Sequence, residues 1–205
     1  MSTIEERVNV IYKKYIEEIC PYILRYEVLN ITFPVEILNE IRAVFTHLSK
    51  YYLSEDVSIK EKNVSKAEGH IKRSILDCYK YICMAYDDKY DEFSRDYKNV
   101  DLSLVDNGEF LPKLLETRNA AVSLMLDARK SDLSITSDDE PSADQAFEKY
   151  EKAFSKYSSL YDLITGSYIK IETLKRKVVI KNAIPWITTA IGGILSIILF
   201  LLNKL

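Results

Sequence analysis

A chain of 205 residues with only five glycines and five prolines is consistent with one domain plus an appendage, and it excludes a loop-rich β sandwich in favour of long helices. A formal charge of -3 excludes a global basic field that would hold nucleic acid by counterion release. The three cysteines, Cys20, Cys78 and Cys83, form no Cys-x-x-Cys pair, and the first ten residues lack the basic-then-apolar pattern of a signal peptide, so the expected compartment is a reducing cytosol.

Ile4, Val8, Ile11, Tyr15, Ile19, Tyr22 and Leu24 recur mostly at three or four residues and predict a first helix from Thr3 to about Val28, with Pro21 as a kink point. A turn at Leu29 to Phe33 follows, with Thr32 placed to cap and Pro34 in the first turn of a second helix running to about Tyr52. Its core stripe is Ile37, Ile41, Phe45, Leu48 and Tyr52. The stretch from Ser58 to about Tyr97 has no proline and predicts a long third helix that buries Val64, Ala67, Ile71, Ile75, Cys78, Ile82 and Tyr86. Its far end, DDKYDEFSRDYK, alternates acids, bases and aromatics and reads as a solvated extension.

A loop is expected around Asn99 to Asn107, then a fourth helix from Phe110 to Lys130 with Leu111, Leu114, Leu115, Val122 and Leu126 inward. SDLSITSDDEPS, from Ser131 to Ser142, is poor in apolar residues and is expected to be an exposed loop. From Ala143 a fifth helix is predicted through Phe147, Tyr150, Phe154, Tyr157, Leu160, Tyr161 and Ile164, running close to or into the last apolar segment.

That segment, Ala183 to Leu202, carries no charge and gives about 30 Å of helix, the thickness of a bilayer's hydrocarbon core. Its place near the carboxyl end predicts a tail-anchored, single-pass membrane protein. Lys175, Arg176, Lys177 and Lys181 precede it while Lys204 follows, so the positive-inside rule puts the amino-terminal domain in the cytoplasm and the carboxyl terminus across the membrane. Those four cations and Trp186 would set its depth at the interface. Thr188, Gly192 and Ser196 recur every four residues, broadened by Thr189 and Gly193, a small-residue stripe suited either to helix self-association or to an ordinary anchor. The expected fold is therefore all-α: a cytosolic bundle of about five helices over residues 1–180 and one transmembrane helix over 183–202.

The first stretch able to carry chemistry is Arg42-Ala-Val-Phe-Thr-His47 on the second helix. A histidine near neutral pKa can move the proton of a ribose 2'-hydroxyl, while an arginine neutralises the charge that develops as the phosphodiester breaks. This pair resembles the Arg-x4-6-His signature of HEPN domains, helical bundles that commonly dimerise and in many cases cleave RNA in toxin and anti-phage systems. The resemblance implies that Arg42 and His47 are catalytic in a metal-independent ribonuclease, with the matching positions brought together across a dimer. Ala43 stands where active members often place a polar residue after the arginine. On a helical wheel the pair lies roughly 140° apart, flanking the core stripe, which equally suits the polar borders of a packed helix.

His70 precedes Ser74 and Asp77 at spacings that share a helix face, which allows a histidine–carboxylate hydrogen bond. No metal site is expected, because the two histidines and three cysteines show no ligand spacing. No cofactor is expected, because no phosphate-binding glycine loop or nucleophile elbow is present. The leading expectation is a non-enzymatic membrane protein whose helical domain binds a protein or small-molecule trigger and acts through self-association at the membrane, in the manner of a prokaryotic toxin or anti-phage effector. Its partners would be membrane lipid and further copies of itself. The alternative is a membrane-tethered HEPN-type ribonuclease using Arg42 and His47, with RNA as substrate.

Overall fold

The computed structural model describes residues 3–30, 32–133 and 140–202, and among them every regular element is helical. Helix α1 (Ile4–Lys14) leads through a π-helical turn (Tyr15–Ile19) into α2 (Cys20–Asn30), followed by α3 (Val35–Leu53) and α4 (Val57–Asp96). A 3-10 segment (Leu102–Gly108) precedes α5 (Phe110–Leu133), and α6 (Glu140–Leu202) closes the described chain. The chain divides into two compact units: residues 1–90 with 117–161, and residues 91–116 with 162–205.

Helix α1 starts with a reciprocal capping box, in which the Glu6 N–H donates to the Thr3 hydroxyl and the Thr3 N–H donates to the Glu6 carboxylate. The expected kink near Pro21 takes the form of the π-turn, where the Cys20 N–H reaches back to the Tyr15 carbonyl. The turn widens the helix by one residue just before a proline whose ring crowds the carbonyl four residues earlier. That extra residue rotates the stripe, so Ile23 is buried and Leu24, expected inside, is exposed. At the next helix Thr32 makes no cap; Pro34 itself occupies the capping position with extended backbone, and its carbonyl accepts from the Leu38 N–H.

In the larger unit α4 is the central helix, and all seven of its expected core positions are buried, Val64 through Tyr86. Arg7 ties α1 to it, donating from Nε to Glu68 at 2.8 Å and pairing with Glu61. An aromatic cluster of Tyr22, Tyr79, Phe147 and Phe154 joins α2, α4 and α6, with edge-on ring contacts of 5.1 to 5.5 Å. On α3 the inward residues are Ile37, Val44 and Leu48, whereas Phe45 is 73% and Tyr52 61% exposed, against expectation. At 100° per residue the buried arc centres on Val44, which turns Phe45 onto an apolar groove shared with Ile11, Tyr12 and Tyr15.

Helix α5 departs from expectation in the same way. Leu114, Thr117, Ala121, Met125 and Ala128 form the buried stripe, while Leu115 and Leu126 are exposed. Ala121 and Ala128 are fully buried there, so small side chains hold places that hydropathy alone would give to leucine. Of the loop expected from Ser131 to Ser142, residues 131–133 are helical at the end of α5 and 140–142 are helical at the start of α6; residues 134–139 lie outside the described residues.

The smaller unit buries Phe93, Tyr97, Val105, Phe110 and Ile171. The end of α4, expected to be solvated, thus supplies a core: Phe93 packs on Tyr97 at 5.0 Å and on Phe110 at 6.5 Å. Tyr97 also donates to Glu172 at 2.6 Å. Asp106, Asn107 and Gly108 are successively left-handed, a conformation that Asp, Asn and Gly tolerate, and they turn the chain into α5.

Along α6 a single stripe runs at alternating steps of four and three: Ala146, Tyr150, Ala153, Tyr157, Leu160, Ile164, Ser167, Ile171, Leu174 and Val178. Each of these is buried or half-buried. Beyond Val178 the pattern of burial ends although the helix continues, through Pro185, to Leu202. Within α6 lies a stretch long and apolar enough, by length and composition, to cross a membrane, and none of it is covered by the rest of the protein.

Candidate functional site

Two places carry the residues singled out in the sequence: a polar seam between α3 and α4, and the uncovered end of α6. The seam follows from heptad spacing on two adjacent helices. Glu40 and His47 are seven residues apart on α3, as are Asn63 and His70 on α4, so each pair shares a face and the two faces meet.

Asn63 is 8% exposed and its amide donates to the Ile59 carbonyl at 2.8 Å, which fixes its carbonyl oxygen towards His47. His47 Nδ1 lies 3.0 Å from that oxygen and is therefore the protonated nitrogen, leaving Nε2 as the acceptor. The His47 ring stacks on the His70 ring at 5.2 Å with 20° between planes. His70 Nδ1 lies 2.8 Å from Glu40 Oε2 and 2.7 Å from Arg73 Nη2, and Arg73 Nε donates to the same carboxylate oxygen at 3.1 Å. Burial alone would raise the Glu40 carboxyl, but these contacts outweigh it and hold its pKa below the ordinary value.

His70 thus takes a carboxylate partner, though from α3 instead of from Asp77 on its own helix. Buried Ser74, the other neighbour considered, has a hydroxyl without a hydrogen-bond partner among the described residues. Arg42 stands apart from this arrangement: it is exposed, and within one chain it is not drawn into the hydrogen bonds around His47. Asn63, Glu40 and Arg73 escaped the sequence reading. The signal that could have found them is the matched heptad of polar residues on two otherwise apolar faces.

No protein-family model, curated protein or solved structure matches the chain. Function has to be read from the geometry. Among the described residues no group of three histidine, cysteine or acidic side chains is placed to hold a metal ion. The buried thiols Cys78 and Cys83 are both pushed up to about 12 by burial, so neither is a thiolate nucleophile at neutral pH.

At the end of α6, Arg176, Lys177 and Lys181 are exposed, whereas Lys175 turns back over the Tyr97 ring at 4.6 Å and towards Glu172 at 3.9 Å. Trp186 is 80% exposed. The hydroxyls of the small-residue stripe bond to their own helix: Thr188 and Thr189 donate to the Pro185 carbonyl at 2.9 and 2.8 Å, and Ser196 donates to the Gly192 carbonyl at 2.9 Å. A side chain added at Gly192 or Gly193 would meet nothing within 4 Å. The stripe is thus a shallow, uncovered face whose donors are already satisfied.

Proposed function

We propose that this is a membrane-anchored helical protein, held in the bilayer by residues 183–202 and acting there through association of its own copies. The supporting observation is the last part of α6: a helix that emerges from a packed stripe, passes exposed cations and Trp186, and continues as an uncovered apolar rod. In water such a rod would expose a continuous apolar surface, whereas lipid covers it and asks only that its polar groups be satisfied internally. The Thr188, Thr189 and Ser196 hydrogen bonds meet that demand and leave Gly192 and Gly193 open to a neighbouring helix.

Two measurements test this. The full chain should remain in alkaline-washed membranes, and a chain lacking 183–202 should appear in the soluble fraction; extraction of the full chain by the wash overturns the anchor. Replacing Gly192 and Gly193 by leucine should weaken crosslinking between copies in membranes, and unchanged crosslinking removes the stripe from the interface.

A second reading, a membrane-tethered ribonuclease of the HEPN type, is favoured by one observation: Asn63 orients His47 so that Nε2 is left as a base. In that reading Arg42 is supplied to the scissile phosphate from the exposed edge of α3. RNA cleavage by the full chain, lost in both Arg42→Ala and His47→Ala, supports it; cleavage indifferent to both substitutions rejects it.

A further inference from the structure

A second feature of the larger unit is independent of the membrane segment. Between α4, α5 and α6 lies a cleft of about 190 Å³, with Arg118, Arg129 and Asp87 among its charged walls and Met84, Val122 and Leu126 among its apolar ones. Its size is below the roughly 300–1,000 Å³ of sites for drug-sized molecules, so it suits a small ligand.

The charges in the cleft do not cancel. Asp87 is already engaged, accepting from Arg118 at 3.0 Å and from the Tyr157 hydroxyl at 3.4 Å among its contacts. Arg118 is further held by stacking of its guanidinium 4.9 Å from the Tyr90 ring, yet its Nε is buried and has no hydrogen-bond partner among the described residues. Arg129 is exposed and makes no ion pair with any described residue. Two guanidiniums against one carboxylate leave one unit of positive charge facing the cleft. Arg129 also borders a neighbouring cleft with Lys80, Asp77 and Asp132, where Lys80 lies 2.8 Å from Asp132 and 3.8 Å from Asp77 and neither acid is in ion-pair contact with Arg129.

The apolar half is equally incomplete. Met84 and Leu126 are about half exposed at the rim, directly beside the cationic wall. Cys83 belongs to the floor, where burial keeps it a neutral thiol.

We propose that this cleft binds a small organic monoanion, a carboxylate on a compact apolar body, with the carboxylate between Arg118 and Arg129 and the body over Met84, Val122 and Leu126. A carboxylate offers the planar two-oxygen acceptor that a guanidinium fork matches. Inorganic phosphate would gain the charge contact without covering the apolar wall.

The test uses the full chain in lipid nanodiscs and fluorine NMR of 4-(trifluoromethyl)benzoate, with empty nanodiscs as the blank. Saturable binding is expected, with no saturable binding of 4-(trifluoromethyl)benzylammonium and no displacement by an equal concentration of inorganic phosphate. Arg129→Gln, at an exposed position with no ion pair to lose, should weaken the benzoate about tenfold or more, and Leu126→Asn should weaken it as well. Absent saturation, equal binding of the cation, displacement by phosphate, or an unchanged affinity in Arg129→Gln would each overturn the proposal.

Discussion

Glu40 on α3 and Asp77 on α4 are carboxyls whose surroundings push them in opposite directions. For Glu40, burial favours the neutral acid, but contact with His70 and the hydrogen bond from Arg73 at its Oε2 hold the folded-state pKa below the ordinary 4.5. A depressed carboxyl contributes stability that is present above the unfolded value and lost as pH falls through the folded one. Glu40→Gln should therefore flatten the decline of Tm below pH 4.5, measured by thermal melts across an acid series. For Asp77, burial is the largest influence and raises the pKa, only partly opposed by Lys80 at 3.8 Å. Its stabilising form is the protonated one, fully present below 3.8 and lost as pH rises. Asp77→Asn should then raise Tm at pH 7, an effect that fades below pH 3.8. His47 was found in the sequence because it falls in a spaced pair. Glu40, Asn63 and Arg73 were not, because their partners lie on another helix and only tertiary pairing reveals them.

Among the elements, α4 was readable and α5 was not, for a physical reason. The α4 stripe is made of Val, Ala, Ile, Cys and Tyr at helical spacing with charged residues between, so hydropathy and geometry agree. On α5 hydropathy points to Leu114, Leu115 and Leu126; Leu114 is buried as expected, but Leu115 and Leu126 are exposed, and further along the helix Ala121 and Ala128 are fully buried, with Ala146 and Ala153 fully buried on α6. Side-chain size at a close approach is a property of two helices together, and one helix's pattern does not contain it. Ala153→Leu should thus cost about 1–3 kcal/mol through overpacking, read as a shift in the urea midpoint. Beyond the π-turn Tyr22 packs as its spacing predicts, but the inward position expected at Leu24 falls at Ile23, because a single extra residue in the turn shifts the stripe.

At the scale of the molecule, the all-helical class and the apolar end of α6 followed from composition and run length alone. The division into two units did not, since DDKYDEFSRDYK looks like surface until Phe93 packs on both Tyr97 and Phe110. One property of α6 now bears on its uncovered apolar end. Counting on from Val178 by the same steps of three and four gives Lys181, Pro185, Thr188 and Gly192, so the small-residue face inherits the angular phase of the buried stripe. A helix drifts only about 20° per heptad from such a repeat, so that phase survives from Ile164 to Gly192 as a rotation of less than a quarter turn or so. Residue 178 therefore acts as a shaft coupling, and its setting can be altered without touching either end. Inserting one alanine after Val178 should turn Gly192 by about 100° relative to Ile171 and alter the crosslinking pattern between copies, whereas seven alanines should restore it to within about 20°. Identical crosslinking in both insertions would mean that the apolar segment rotates freely of the helix that carries it.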